Sequence, residues 1–178
     1  MQHLSTYIRD NRRYGKTYFG LQQAASALNV SPNAARAAVH RLRAKGELIS
    51  PARGFYITVP PEHQVNGSPP AAEVMPILMK YLKADYYVSL LTGAAYHGAA
   101  HQKVFYFQVV SNKRMGPILR LGRLVIQFVY KKDLKGLPMR DWTVRSGYLK
   151  LGSPELVALD LFLYPDKCLG LNHIATVL

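Results

Sequence analysis

An α+β chain, with a winged helix-turn-helix at its N-terminus and a mixed α/β domain after it, is the fold class that the sequence predicts. Three observations carry that expectation. The stretch Ser31 to Leu48 (SPNAARAAVHRLRAKGEL) is a helix marked at both ends and cationic on one side. Two short apolar runs around Arg53-Gly54 follow it as a hairpin, and from Ala71 the pattern runs helices, then strands, then helices. A first domain is expected over residues 1–60, a Pro-rich linker over 61–70, and a second domain over 71–178, the linker because TVPPEHQVNGSPP holds four prolines and no apolar periodicity.

Within the first domain, Leu4, Tyr7 and Ile8 predict a helix ending near Gly15, and Tyr18-Phe19 a short strand. Leu21, Ala25 and Leu28 recur at i, i+4 and i+7, and Asn29-Val30-Ser31 is a turn of the length that joins two steeply crossed helices. Ser31 can cap the next helix, Pro32 fills the first turn where a missing N–H costs nothing, and Gly46 suits a left-handed exit. Ala35, Val39 and Leu42 form its apolar stripe. Asn33, Arg36, Ala37, His40, Arg41 and Ala44 project from the opposite side, without an acid among them. Guanidinium and amide groups reach base edges and phosphates while alanines permit close approach, which is what a helix entering the major groove needs. Arg43 and Lys45 extend the basic set. An ordinary solvated helix face would show the same chemistry. Glu47 to Ser50 and Phe55 to Thr58 are the expected strands of a wing, turning over Pro51-Ala52-Arg53-Gly54 with Arg53 at its tip.

The second domain is expected to open with a helix, AAEVMPILMKYLK, disturbed near Pro76, and a second helix in DYYVSLLTGAAYHGAAH with Tyr87, Leu91, Ala94 and Ala95 on one face. Small residues from Gly93 to Ala100 would let another element approach closely, or let the helix stop at Gly98. Val104 to Val110 alternates as a strand, with Phe105, Phe107 and Val109 on one face and Tyr106 and Gln108 on the other. Ile118 to Leu121 and Leu124 to Tyr130 predict a hairpin about Gly122-Arg123, and Thr143 to Lys150 one more strand or a bent hairpin at Gly147. Ser153-Pro154-Glu155 opens a helix that stops before Pro165, and GLNHIATVL begins another.

Composition narrows the function classes. A chain of 178 residues, 49% hydrophobic, can bury real cores, and a net charge of +13 points to a polyanionic partner, nucleic acid before an acidic membrane. The first 59 residues carry nine Lys and Arg against two acids, and the remainder fourteen against eight. The single cysteine, Cys168, excludes an internal disulfide and a cysteine-based zinc site, and no apolar run approaches a membrane span, so a cytoplasmic protein without a cofactor is expected.

Catalytic constellations are scarce. His97 and His101 stand four apart, but the glutamate of H-E-x-x-H is missing, and no metal site is expected. Asp160 lies inside LVALDLFLY, where a buried carboxylate needs a cationic partner, so a structural pair with a strand Lys or Arg is preferred to an active-site acid. No phosphate loop or nucleophile elbow occurs, which makes an enzyme the minor alternative: a metal-dependent nuclease targeted by the winged helix would need clustered carboxylates that Asp85, Asp133, Asp141, Glu155 and Asp160 do not supply. Lys113, Arg114, Arg120, Arg123, Lys131, Lys132 and Lys135 gather at strand ends and turns. They are either a second phosphate-contacting surface or charges that discourage edge-to-edge association.

The combination of NVSPNAARAAVHRLRAKGEL, GFYITVPPEH, YYVSLLTGAAYHGAAHQ, FQVVSNK, LGRLVIQFV and SPELVALDL with GLNHIATVL resembles the AbiEi-type antitoxins of bacterial type IV toxin–antitoxin systems over nearly the whole chain. The resemblance implies an N-terminal winged helix that binds inverted repeats upstream of its own operon as a monomer or weakly associating dimer and represses it. It implies a C-terminal antitoxin domain that opposes a nucleotidyltransferase-like toxin without a stable complex. By position, Asn33, Arg36, Ala37, His40 and Arg41 would read the DNA, with Arg53 on the wing. Members of this family continue through further helices beyond GLNHIATVL, so a chain lacking C-terminal helices is expected.

Overall fold

A computed structural model describes residues 3–99 and 105–177, and within it the chain is mixed α and β. Two compact units divide it, one running to Pro70 and including Leu121–Arg123, the other made of the remainder.

The first unit begins with helix α1 (Leu4–Arg13), strand β1 (Tyr18–Gly20), helix α2 (Leu21–Leu28) and helix α3 (Pro32–Ala44). Strands β2 (Leu48–Ala52) and β3 (Phe55–Thr58) follow, and the three strands form an antiparallel sheet in the order β1-β3-β2. Leu4, Ile8, Phe19, Ala24, Leu28, Val39, Leu48 and Tyr56 share one core, so every element contributes an apolar side chain to it. The rings of Tyr7 and Phe19 meet at nearly a right angle, their centroids 5.8 Å apart.

Strand β2 runs further than its alternation suggests. Pro51 and Ala52, expected in the turn, belong to the strand, because β2 lies at the sheet edge, where a proline sacrifices no ladder bond, and the register shifts between Ile49 and Ala52. The tip therefore shrinks to Arg53-Gly54, with Gly54 at φ 70°. The stretch expected as a linker contains a 3-10 turn over Pro61–Asn66 and groups with the first unit through Pro70.

The second unit starts with helix α4 (Ala71–Leu82), which continues through Pro76 because Val74, Met75, Ile77, Leu78 and Met79 are all buried and offset one lost hydrogen bond. Strand β4 (Tyr86–Val88) and helix α5 (Leu90–Tyr96) come next. They are followed by β5 (Phe107–Ser111), β6 (Ile118–Leu121), β7 (Leu124–Tyr130), β8 (Met139–Val144) and β9 (Gly147–Gly152), then helices α6 (Pro154–Leu163) and α7 (Leu171–Val177). The sheet has six strands in the order β6-β7-β5-β4-β9-β8. At its centre β4 pairs antiparallel with β5 and parallel with β9, and β5 pairs parallel with β7. Tyr87, Val110 and Val129 from the sheet share a core with Leu90, Leu91 and Ala94 of α5, Leu156, Val157 and Leu161 of α6, and Ile174 and Val177 of α7.

Two sequence expectations are corrected here. Tyr87 does not share a helix with Leu91 and Ala94, because Tyr86–Val88 is a fully buried central strand and the helix starts only at Leu90. The alternation expected for Val104 to Val110 also fails: Gln108, Val109 and Val110 are all buried in a strand that starts at Phe107, whereas Phe105 is exposed. An internal strand covered on both faces has no solvated side to alternate with. Val104, Ala100 and His101 lie outside the described residues. The hairpin about Gly122-Arg123 and the stop before Pro165 are where the sequence puts them, and the bend at Gly147 is a hairpin between β8 and β9.

Candidate nucleic-acid interface

The N-terminus of α3 is fixed by its own sequence. The Ser31 Oγ accepts from the Ala34 N–H at 3.2 Å, and Pro32 occupies the first helical position. At the other end the N–H of Gly46 donates to Arg43 O and that of Glu47 to Leu42 O, with Gly46 at φ 73°. Ala35 and Val39 are buried and Leu42 packs against the same core, which fixes the roll of the helix. Asn33, Arg36, Ala37, His40, Arg41, Arg43 and Lys45 are consequently all exposed. Arg36 Nη1 donates to Asn33 Oδ1 at 2.8 Å, so this guanidinium is braced from its own helix while keeping most of its donors available. Arg53 is exposed at the hairpin tip of the same unit. Ala34, Ala37 and Ala44 are exposed as well, leaving the cationic face low in relief.

The other basic residues divide in a way that their sequence does not show. Lys113, Arg114, Arg120, Arg123, Lys132 and Lys135 are exposed. Lys113 Nζ donates to Leu82 O at 2.8 Å, and the Arg114 guanidinium lies 4.6 Å from the centre of the Tyr130 ring. Lys131 is not one of this exposed group. Its ammonium turns inward and stands 3.3 Å from Asp160 Oδ1.

Asp160 is fully buried and has three partners. The Tyr87 hydroxyl donates to its Oδ2 at 2.7 Å and the Ser89 hydroxyl to the same oxygen at 2.8 Å, while Lys131 supplies the opposite charge at Oδ1. The pairing with a cation at a strand end is the one that the sequence favours, and the two hydroxyls are what it leaves out. Burial, and then the bond to Asp160, hold the Tyr87 phenol far above its ordinary value, so it remains a donor. Serine, aspartate and lysine in contact suggest chemistry. However, Ser89, Tyr87 and Asp160 are each 0% exposed, and no substrate can reach them. The network is a structural tie between β4, α6 and the end of β7.

His97 Nε2 lies 2.8 Å from Gly152 O, so this nitrogen carries a proton and donates rather than binding a metal. Among the described residues no group of His, Cys, Asp and Glu could hold a metal ion, and no helix is long and apolar enough to cross a membrane. Glu155 closes the start of α6, where its carboxylate accepts from Ser153 Oγ at 2.6 Å; that bond holds its pKa below the usual carboxylate value.

Comparison with known families matches residues 87–178, slightly more than half of the chain, to the AbiEi antitoxin C-terminal domain. No curated protein matches the chain.

Proposed function

The chain belongs to the AbiEi antitoxin family, and from that premise we propose that it is the antitoxin of a type IV toxin–antitoxin operon and also the operon's DNA-binding repressor. The first unit is a winged helix-turn-helix in this reading, with α2 and α3 as the helix pair, α3 as the recognition helix and the β2–β3 hairpin as the wing. The observation that carries it is the exposed face of α3: three arginines, one of them braced by Asn33, three alanines and no acid. A helix of that relief and charge suits the major groove, where Arg and Asn read base edges. Inverted repeats upstream of the operon are the expected site, bound by monomers or by a weak dimer that cooperates on DNA.

The second unit opposes the toxin, for which a nucleotidyltransferase-like enzyme is the proposed counterpart, without a stable complex between the two. The protein acts in the cytoplasm and catalyses no reaction in this reading. Mobility-shift titration of the purified protein on its own upstream region, beside unrelated DNA of the same length, tests the repressor function. Equal affinity for both DNAs, or none, rejects it. Coexpression with the downstream gene product tests the antitoxin function by growth.

A further inference from the structure

Helix α6 carries large apolar side chains on both of its faces, and the second unit covers only one. Leu156, Val157, Asp160 and Leu161 are buried, while Leu159, Phe162 and Leu163, spaced i, i+3 and i+4 along the other face, are 62%, 56% and 61% exposed. The chain then turns over Pro165–Lys167, where the N–H groups of Cys168 and Gly170 both donate to Pro165 O, at 2.9 and 3.0 Å. That turn keeps Leu169 close to the end of α6, and Leu171 opens α7, which packs against α6. Both leucines are exposed. Among the described residues every exposed leucine lies between positions 159 and 171, whereas the large apolar side chains exposed elsewhere are mostly tyrosines, whose hydroxyls suit water. Scattered apolar residues need no explanation, but a run of them on one face marks a surface that another molecule covers.

The charge of this region says which molecule. Residues 153–178 carry one lysine, Lys167, against Glu155, Asp160 and Asp166, and the rest of the chain carries 22 Lys and Arg against seven acids. Nucleic acid and anionic lipid call for a basic rim around the apolar residues, which this face lacks. Two copies of so basic a chain repel each other wherever their lysines and arginines face. A two-fold contact also sets each residue near its own counterpart, so the copies can meet only where positive charge is sparse. Asp166 and Lys167, both exposed, give this face a rim of both signs.

Its size is also sufficient. Five side chains of this exposure present on the order of 500 Å² of apolar surface, most of the roughly 800 Å² that each partner brings to a standard interface. Exposed Ala175, one turn beyond Leu171, extends it.

We propose that this face is a two-fold interface between two copies of the chain, with Leu159, Phe162 and Leu163 at its centre and Leu169 and Leu171 at its edge. The association belongs to the free protein and does not depend on the DNA-binding reading.

Sedimentation velocity on the full chain, free of DNA, over about 1–100 μM tests this. A dimer forms with a dissociation constant of about 10 μM or tighter, and nothing larger follows, because a closed two-fold contact uses up its own face. Added salt strengthens the dimer, since screening removes the repulsion between the basic remainders and leaves the apolar contact in place. Leu159→Glu with Phe162→Glu weakens it about tenfold or more, whereas Val65→Glu, at a residue 79% exposed outside the face, leaves it unchanged. If the α6 pair loses the fold, Leu169→Glu with Leu171→Glu, outside that helix, carries the same expectation. A chain that stays monomeric throughout the range overturns the proposal. So does assembly beyond the dimer, dissociation by salt, or undiminished dimerisation of the face variants.

Discussion

Lys131 and Asp160 meet at 3.3 Å with the carboxylate fully buried and the ammonium partly open to water, 29 residues apart in the chain. Removing one member of such a pair strands the other in a medium that cannot solvate it.

Lys131→Met should therefore destabilise the second unit by about 3 kcal/mol, and adding Asp160→Asn should restore part of the loss. Urea unfolding of the three variants beside the parent measures the coupling. Operator affinity of Lys131→Met at a temperature where it stays folded should be unchanged, since its charge faces inward; a loss on DNA would show that Lys131 contacts phosphate.

Gly93 of α5 sits where an added Cβ would come within 2.8 Å of Val157 Cγ2 on α6. Gly93→Ala should cost about 1–3 kcal/mol by overpacking, and Val157→Ala in the same chain should relieve the clash. Thermal melts of the single and double variants distinguish this from simple loss of apolar volume, which would make the double variant the worst.

Arg41→Ala should weaken specific DNA binding by about 1–3 kcal/mol if its guanidinium reads a base. Arg36→Ala should do the same, and Asn33→Ala should cost part of that amount by releasing the brace on Arg36. Arg53→Ala should instead reduce affinity on all DNA alike and flatten the dependence of log K on log salt by about one unit or less. Anisotropy titrations at several salt concentrations separate the two patterns. Unchanged affinity in all four variants would remove α3 and the hairpin tip from the interface.

Alkali should unfold the second unit early. Burial raises Cys168 from its ordinary 9.0 to about 11 and Tyr86 from 10.0 to about 12, and raises Tyr87, Tyr96 and Tyr164 as well. Each group binds its proton more tightly folded than unfolded. The stability that they lend is thus complete below the ordinary values and is lost as pH rises through the raised ones. Melting temperature should fall steadily from about pH 9 to pH 11, less steeply in Tyr86→Phe. A flat profile across that range would contradict these assignments.

A piece ending at Pro70 should fold, bind operator DNA more weakly than the whole chain, and fail to rescue cells from the toxin. A piece beginning at Ala71 should lose repression and retain whatever neutralisation this chain possesses. An operon-promoter reporter and a toxin-rescue assay, run on both pieces, check the division; rescue by the first piece or repression by the second would refute it.

The legible parts of the fold were those whose signals are local. Ser31, Pro32 and Gly46 bracket α3 within the sequence, and Ala35 and Val39 set its buried stripe, so the exposure of Arg36, His40 and Arg41 follows from spacing alone. Strand β4 was opaque because Tyr87, Leu91 and Ala94 happen to stand at helical intervals, while the burial of both strand faces erases the alternation that would have exposed it. Asp160 announced that it needed a partner but not which. Tyr87 and Ser89 lie 73 and 71 residues away, and nothing in a hydroxyl's own neighbourhood says that it will meet an acid.

The position of β4 has a consequence for synthesis. In the first unit, the long-range strand pairing joins Tyr18 to Ile57, so all its partners have left the ribosome early. In the second, the central strand waits for β9, with Val88 opposite Leu151, and its tyrosine waits for Asp160. Contacts of that separation form slowly, and the strand has an unpaired edge until they do. During every round of translation there is accordingly an interval in which a nascent chain owns a finished three-stranded sheet and an unfinished second unit. Ribosome pausing between residues 70 and 150 would lengthen it.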